Sequence, residues 1–230
     1  QDWAAKEESY LRGEVVVLDQ FLTPAAFEEL QRLGMDATVW HESKQHGYLG
    51  AFDALGFAPN AITRLAAELE RAMPRAFANN TLQQYWGYKY DNTRAYSFGS
   101  AAINVHADEA SVNVNFWITP DDANLDPESG GMVVWSKLGN EADEASTRKA
   151  YLSVGGDVSP VEKARILGLT DGDARTVPYR ANRAVLFRSS LYHKTDKHSF
   201  KEGFENCRIN FTLLFGWQED VRCRGAAGAA

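Results

Sequence analysis

The chain has few of the residues that would place it in several large classes of protein. Its two cysteines, Cys207 and Cys223, form neither a disulfide framework nor a zinc-ligand cluster. So few cysteines fit a reducing compartment, and we expect a cytoplasmic protein. No apolar run approaches the roughly 18 residues that a transmembrane helix needs. The first four residues contain no initiator methionine and no signal-peptide pattern.

Positive charge is also scarce. The 24 lysines and arginines are outnumbered by 31 acidic residues, which gives a formal net charge of -7. This balance argues against nucleic acid or an anionic membrane as the main partner. With 44% apolar and 12% aromatic residues, the chain has the composition of a soluble globular protein that can bury a core. We expect a single domain over residues 1–230; the composition leaves the oligomeric state open.

Two segments in the first third of the sequence have the pattern of amphipathic helices. A strand is predicted at residues 14–21. After it, Thr23 is a suitable helix N-cap, and Gly34 is a plausible stop. A second helix is predicted from residue 59 to about residue 78, with apolar residues along one stripe. Pro74 is expected to kink or end that helix. Both helices are interpreted as packing on a sheet.

From Thr81 onward the sequence pattern is that of β-strands. Aromatic residues alternate along residues 82–90, and residues 111–119 place Asn113 and Asn115 on one face and apolar side chains on the other. This alternation indicates a sheet with the core on one side and a polar cavity on the other. Further strands are predicted at residues 101–105, 132–135, 184–187, 188–193 and 207–216. About eight strands without βαβ alternation predict an antiparallel double-sheet roll.

Residues 137–176 interrupt this series of strands. They contain an acidic stretch and one predicted helix at residues 159–167, with Ser159 as N-cap and Pro160 at the first helical position. We interpret the segment as an insertion between strands and a possible lid. A second domain is disfavoured because about 40 residues build a poor core. The small-residue tail, residues 225–230, is predicted to be disordered.

The best candidate for chemistry is the pair His106 and Asp108. If this stretch is extended, both side chains leave the same face of the chain. An imidazole and a carboxylate are two thirds of the 2-His-1-carboxylate triad, which holds Fe(II) and leaves coordination positions open. The third ligand is His193 or His198. We favour His193, which follows a buried strand, because a charged loop such as that around His198 holds a ligand less rigidly.

Arg208 is the candidate anchor for an organic acid. It stands near the start of the last strand, and alternation puts it on one face with Asn210 and Thr212. A buried guanidinium needs an anion to offset its desolvation, and a dicarboxylate supplies one in bidentate geometry. The alternative is a structural ion pair between Arg208 and one of the acids of the chain.

This ordered set of motifs resembles the Fe(II)/2-oxoglutarate-dependent oxygenases, most of all the prolyl-hydroxylase-like branch and its bacterial members. The resemblance extends over residues 15–216 and rests on His106-x-Asp108, a distal histidine, the aromatic strand, residues 182–187 and the sequence Arg208-Ile209-Asn210. One spacing departs from the family. Arg208 comes 15 residues after His193, which is longer than usual, and the family spacing fits His198 better. A loop insertion at residues 197–206 would account for the difference.

The resemblance implies a mainly β fold, a double-stranded β-helix of the jelly-roll or cupin type with the N-terminal helices packed on one sheet. It also implies Fe(II) as the metal, 2-oxoglutarate as co-substrate and dioxygen as oxidant. The site residues that it implies are the metal ligands His106, Asp108 and His193 and the co-substrate contacts Arg208, Asn210, Tyr90, Tyr88 and Asn115. Of the two tyrosines, Tyr90 matches the family better.

The expected activity is therefore hydroxylation of an unidentified substrate with release of succinate and CO2. Asp108 favours this outcome, because related halogenases have a small residue at that position. Two alternatives remain. A cupin-type metalloenzyme that does not use 2-oxoglutarate would not need Arg208, and a non-catalytic module on the same fold would carry a vestigial metal site. The presence of all three ligands disfavours the second alternative. A protein side chain, a free amino acid and a small metabolite all remain possible substrates.

Overall fold

The computed structural model describes residues 1–44, 47–92, 103–138 and 159–217. The helices are α1 (Trp3–Leu11), α2 (Pro24–Asp36), α3 (Asn60–Ala72) and α4 (Pro160–Ile166). The strands are β1 (Val16–Leu18), β2 (Glu42–Lys44), β3 (Tyr48–Phe52), β4 (Leu82–Tyr90), β5 (Val112–Trp117), β6 (Met132–Leu138), β7 (Ala174–Val177), β8 (Ala184–Arg188), β9 (Leu191–Thr195) and β10 (Ile209–Phe215). Within the described ranges, no helix is both long and apolar enough to cross a bilayer.

The ten strands form two antiparallel sheets, as the alternating pattern predicted. The large sheet has seven strands in the order β1-β8-β5-β10-β4-β3-β2, and the small sheet has three in the order β7-β6-β9. The sheets pack on each other through one apolar cluster, which includes Trp117 and Phe187 of the large sheet and Val134 and Leu191 of the small sheet. The strands that face each other there also border the cavity described below.

The N-terminal helices cover the opposite face of the large sheet. Leu30 of α2 and Ile62 of α3 belong to the same buried cluster as Val114, Phe116 and Phe211. These sheet residues alternate with the polar ones on β5 and β10, so one face of each strand meets the helices and the other faces the small sheet. The prediction of N-terminal helices packed on one sheet is confirmed.

The prediction that α2 stops at Gly34 is wrong, because the helix continues to Asp36. A Cβ atom at Gly34 would lie 3.0 Å from the Cδ1 atoms of both Ile118 and Ile209. The glycine therefore lets the helix lie close to the large sheet. Its carbonyl oxygen also accepts a hydrogen bond from Nζ of Lys89 over 3.0 Å. The glycine is required by packing rather than by helix termination.

Helix α3 ends at Ala72, two residues before Pro74. Of the two predicted effects of Pro74, a kink or the end of the helix, the structure shows the second. Residues 103–105 do not form the predicted strand; the backbone there makes an isolated bridge at His106 instead. Helix α1 and strands β2, β3 and β7 were not predicted.

In the 137–176 segment, the predicted helix is present as α4, and Oγ of Ser159 accepts a hydrogen bond from the backbone N–H of Glu162. Strand β7 lies at the end of the segment and pairs with β6, so this end belongs to the small sheet. Residues 139–158 and the predicted disordered tail, 225–230, lie outside the described residues. The single-domain assignment and the lid remain predictions.

Candidate metal centre

The structure brings together the side chains of His106, Asp108 and His193. Nε2 of His106 lies 3.7 Å from Oδ1 of Asp108, and Nε2 of His193 lies 3.4 Å from Oδ2. One ligand atom from each residue lies within 4.8 Å of the other two. Atoms at these separations can all contact one small cation placed between them. Among the residues that the structure describes, this is the only cluster of three or more such ligands.

The backbone fixes the two histidines relative to each other. The N–H of His106 donates to the carbonyl of His193 over 2.9 Å, and the N–H of His193 donates to the carbonyl of His106 over 2.8 Å. The side chains of such an antiparallel pair leave the same face of the chain. The two imidazole rings accordingly lie with their centroids 4.1 Å apart. Backbone hydrogen bonds thus hold two residues that are far apart in the sequence side by side.

The hydrogen bonds of the two rings select one tautomer. Nδ1 of His106 lies 2.8 Å from the carbonyl oxygen of Asn104, and Nδ1 of His193 lies 2.9 Å from that of Leu191. A carbonyl oxygen only accepts, so each Nδ1 carries a proton, and in the neutral ring the lone pair is on Nε2. Both Nε2 atoms face Asp108. This is the arrangement that metal-binding histidines commonly have.

The surroundings of His106 and Asp108 favour the protonation states that metal binding needs. Burial, with a smaller contribution from His193, lowers the pKa of His106 to about 4, so this ring is neutral near pH 7. Burial by itself would raise the pKa of Asp108. Interactions with the two imidazole rings and the hydrogen bond donated by Asn113 outweigh it, and the pKa of Asp108 lies below its usual value.

Arg208 is buried, with 2% of its surface exposed, and its guanidinium is held in the interior. Nε donates to the carbonyl of Gly130 over 2.6 Å, and Nη2 donates to that of Gly131 over 3.0 Å. Cζ lies 4.7 Å from the ring centroid of Tyr90. Among the described residues no carboxylate forms an ion pair with Arg208. The alternative of a structural ion pair therefore finds no support in the described part of the chain.

A cavity of about 390 Å³ contains the metal-ligand group and the arginine. Its walls come from both sheets and from α4. All eight residues predicted from the sequence line it: His106, Asp108, His193, Arg208, Asn210, Tyr90, Tyr88 and Asn115. The volume is within the range of sites for small organic molecules. The structure thus brings every predicted site residue to one place.

A chain of hydrogen-bonded side chains joins the carboxylate to the guanidinium. Its members, in order, are Asp108, Asn113, Asn115, Thr212, Asn210 and Arg208. The donor–acceptor distances along it run from 2.5 to 3.5 Å. Each amide must orient its oxygen and nitrogen to suit both neighbours, so the two ends of the site are oriented together. Asn113 was expected on the cavity face but was not among the predicted site residues.

The two candidate tyrosines occupy different parts of the cavity. Tyr90 is buried, contacts the guanidinium of Arg208 with its ring, and has its hydroxyl 3.3 Å from Oγ1 of Thr195. Tyr88 instead packs its ring edge-on against Tyr48, with centroids 4.8 Å apart. Burial raises the pKa of Tyr88, and Asp108 contributes to the shift. Tyr90 therefore belongs to the arginine end and Tyr88 to the wall beside the metal ligands.

His198 is separate from the metal-ligand group. Its ring centroid lies 5.3 Å from that of Tyr90, and its Nδ1 is 3.3 Å from the carbonyl oxygen of Asp196. Burial, followed by the positive charge of Arg208, lowers its pKa to about 3. The geometry therefore groups His193, and not His198, with His106.

Lys163 of α4 lines the cavity and was missed by the sequence analysis. A lysine in a short helix has no local signal that marks it as part of a site. Its helix was predicted correctly, but the direction in which the side chain points depends on how α4 packs on the small sheet.

No family model matches the chain, and no curated protein matches it. Solved structures are similar to it over most of its length. One is HygX from Streptomyces hygroscopicus with nickel and 2-oxoglutarate bound, at 13% identity over 92% of this chain and 86% of that chain, with a TM-score of 0.63. A second is a prolyl-4-hydroxylase from Pseudomonas putida, at 15% identity over 94% of this chain and 100% of that chain, with a TM-score of 0.58.

A third is a prolyl hydroxylase from Trichoplax adhaerens in complex with a peptide fragment of hypoxia inducible factor. It is 12% identical over 96% of this chain and 91% of that chain, with a TM-score of 0.58. At these identities the similarity shows the fold. The chain therefore has the double-stranded β-helix that the resemblance implied, and the resemblance is confirmed at the level of fold.

Proposed function

We propose that the chain is an Fe(II)- and 2-oxoglutarate-dependent dioxygenase that hydroxylates its substrate. The observation that carries the proposal is the presence of two groups in one cavity. The first is the cluster of His106, Asp108 and His193, and the second is the inward guanidinium of Arg208. The first group suits a divalent metal, and the second suits the far carboxylate of a diacid.

The residues present fit Fe(II). Two imidazole nitrogens and one carboxylate are the ligand set of non-heme iron oxygenases, and they leave positions open for other ligands. The Nε2 atoms of His106 and His193 face Asp108, so the three ligand atoms converge on one point. The convergence of a complete ligand set disfavours the alternative of a vestigial site on a binding module.

The residues present also fit 2-oxoglutarate. The guanidinium of Arg208 supplies charge-assisted donors on the cavity wall, and Tyr90 covers it with its ring. Asn210 accepts from Nη1 of Arg208 over 3.2 Å, which helps to fix the plane of the guanidinium. A cupin-type enzyme without 2-oxoglutarate would have no use for a buried arginine in the wall of the metal cavity. Arg208 therefore favours a 2-oxoglutarate-dependent enzyme over the cupin-type alternative.

When bound, iron would activate dioxygen, which is the oxidant, and 2-oxoglutarate would supply two electrons as it is converted to succinate and CO2. The residues of the chain would hold the metal and orient the diacid. His106, Asp108 and His193 present their ligand atoms on one side of the cavity, and Arg208 orients the diacid from the other. The apolar cluster between the sheets limits the entry of water from behind the site.

Anaerobic spectroscopy tests this proposal. We expect protein with Fe(II) and 2-oxoglutarate to show a weak visible charge-transfer band, and Arg208→Ala to need a much higher 2-oxoglutarate concentration for the same band. Arg64→Ala is the matched control, because Arg64 is an exposed arginine on α3 that pairs with Glu29. Absence of the band in the unaltered protein would end the proposal. Metal binding without the band, and without succinate release in air, would favour the cupin-type alternative.

The hydroxylation outcome needs a second measurement. Once a substrate is found by succinate release, reaction under ¹⁸O-labelled dioxygen should place label both in succinate and in the product. Unlabelled product with labelled succinate would indicate another oxidative outcome, such as desaturation or epimerisation, on the same site.

A further inference from the structure

Trp86 lies in the cavity wall next to the chain of side chains that joins Asp108 to Arg208. It is opposite Thr212 in the pairing of β4 with β10, and Thr212 is opposite Asn115 in the pairing of β10 with β5. Side chains directly opposite each other on neighbouring strands share a face of the sheet. Thr212 donates to Asn115 within that chain, and all three residues line the cavity. The register therefore places the indole of Trp86 on the cavity side of the sheet.

The indole N–H of Trp86 is unpaired within the part of the chain that the structure describes. Its Nε1 atom is buried there without a hydrogen-bond acceptor. Three other tryptophans, Trp40, Trp135 and Trp217, each donate the indole N–H over 2.9 to 3.1 Å. A buried donor that lacks an acceptor costs free energy, so a ligand that supplies the acceptor is bound more tightly.

Trp86 also borders a second cavity. Trp86 and Tyr88 line the cavity that contains the metal ligands, and both also line a cavity of about 320 Å³ near the end of β3 and the start of β4. Leu55, which is exposed, is part of the wall of this second cavity, so it reaches the surface. A ring that borders two cavities has room to turn. A ligand that enters either cavity can therefore select the orientation in which the N–H points to it.

The surroundings of the ring select the kind of acceptor. An indole N–H only donates, so its partner must carry a lone pair. The neighbours are aromatic: the ring centroid of Tyr88 lies 6.1 Å from that of Trp86, and that of Phe52 lies 5.9 Å from that of Tyr88. Lys44, a cation in the wall of the second cavity, is paired with Glu42. Burial of a carboxylate among these rings would cost far more than burial of a neutral carbonyl, and flat apolar groups pack well on aromatic rings.

We propose that Trp86 determines substrate specificity by donating a hydrogen bond from Nε1 to a neutral carbonyl oxygen of the substrate. The substrate is then a neutral organic carbonyl compound whose flat apolar part packs against Tyr88. The inference rests on the proposed function and narrows its substrate class. Trp86 binds and orients the substrate within the cavity, and it takes no part in the oxidation.

Two neutral probes of similar shape test the inference without knowledge of the substrate. They are indan-1-one and indane, which differ by the carbonyl oxygen. The protein carries ¹⁵N in its tryptophan indoles and is loaded with diamagnetic Zn(II) and 2-oxoglutarate, and the indole N–H signals are followed by NMR. We expect indan-1-one to move the Trp86 proton signal downfield, as hydrogen bonding does, and to bind about fivefold more tightly than indane.

Two variants assign the preference to one N–H group. Trp86→Phe removes the donor, keeps an aromatic ring and identifies the Trp86 signal by its loss; the two probes should then bind equally. Trp117 also lines the cavity, so its signal reports binding in each variant. Trp217→Phe is the matched control, because Trp217 is exposed and donates its N–H to Gln83. Its preference for indan-1-one should be unchanged.

The position of the Trp86 signal is measured in the unaltered protein, so the inference can fail even if Trp86→Phe does not fold. Equal binding of the two probes, binding of neither, or a Trp86 signal that does not move downfield with indan-1-one overturns it. A preference that survives Trp86→Phe does the same. A downfield shift on addition of 2-oxoglutarate alone also overturns it, since the acceptor would then belong to the co-substrate.

The charge-transfer band of the unaltered protein separates this inference from the proposed function. If the band with Fe(II) and 2-oxoglutarate is present but the two probes bind equally, only the inference fails. If the band is absent, the proposed function fails. The NMR titration repeated without metal and 2-oxoglutarate then shows whether Trp86 still prefers the carbonyl compound.

Discussion

Asn113 donates a hydrogen bond from Nδ2 to Oδ2 of Asp108 over 2.8 Å, and its side chain is completely buried. Its own Oδ1 accepts from Asn115, so the amide cannot rotate without losing a partner. Asn113 therefore holds the Asp108 carboxylate in one orientation through a neutral donor. It is a positioning residue, since it acts on the metal only through Asp108.

Replacing Asn113 should weaken metal binding. Asn113→Leu keeps the side-chain size and removes the donor, and we expect a loss of about 10- to 100-fold in affinity for Ni(II) or Fe(II), as for other partners of metal ligands. The measurement is a competition titration with a metal-binding dye. Asn124→Leu is the control, because Asn124 is also buried but bonds to Ser129 away from the site. An unchanged affinity in folded Asn113→Leu would show that the bond has no role.

The identity of the third ligand has a direct test. His193→Ala, like His106→Ala and Asp108→Ala, should lose bound iron, because one ligand atom of each lies in the same cluster. His198→Ala should keep it. Iron content after desalting measures both, and the reverse pattern would refute the assignment of His193. The metal-free variants should melt close to the metal-free unaltered protein, since the pairing of residues 106 and 193 is made by backbone atoms that the substitutions leave in place.

The sequence was enough to predict which residues line the cavity, because the alternation of side chains along a strand determines which of them share a face. It predicted Arg208, Asn210 and Asn115 on the cavity side for that reason. It did not predict which of these side chains bond to each other. The chain from Asp108 to Arg208 depends on the register in which Thr212 lies opposite Asn115, and register is set by the pairing of β5 with β10.

Other features were missed because their signals are not local. The sequence placed His198 in a charged loop and did not predict that it is buried. Residues distant in sequence, Tyr90 and Arg208, surround it, and its low pKa follows from that burial and from the charge of Arg208. The short strands β2 and β3 are only weakly marked in a polar, glycine-containing stretch. Gly34 was predicted to end the helix because glycine is common at helix ends. Close packing against Ile118 also requires glycine, and the sequence does not distinguish the two reasons.

His198 should make the protein sensitive to acid. In the folded chain burial and Arg208 lower its pKa to about 3, whereas its usual value is 6.5. Between these pH values the unfolded chain binds a proton that the folded chain does not, so the free energy of unfolding falls as pH falls below 6.5. In urea unfolding of metal-free protein, the unaltered chain should lose about 2 to 3 kcal/mol relative to His198→Gln from pH 7 to pH 4. A difference that stays constant across this range would contradict the expectation.

Gly131 should tolerate no side chain. A Cβ atom there would lie 1.9 Å from the carbonyl oxygen of Val177, on the neighbouring strand β7. Gly131→Ala should therefore lower the free energy of unfolding by about 2 to 4 kcal/mol, measured by urea titration. It should also weaken 2-oxoglutarate binding, because the Gly131 carbonyl accepts from Arg208. Gly172→Ala is the control: its Cβ would meet nothing closer than 3.8 Å, and little change is expected. Equal stability of the two variants would contradict this reading.

Arg208 belongs to the large sheet by its backbone and to the small sheet by its guanidinium, which is tied to the carbonyls of Gly130 and Gly131 just before β6. His193 is paired with β6 in the same small sheet. Both contacts are to β6 or to the residues just before it, so this strand largely sets the distance between His193 and the guanidinium. With this distance fixed, the site should reject diacids that are one carbon shorter or longer than 2-oxoglutarate, even when other parts of the barrel move.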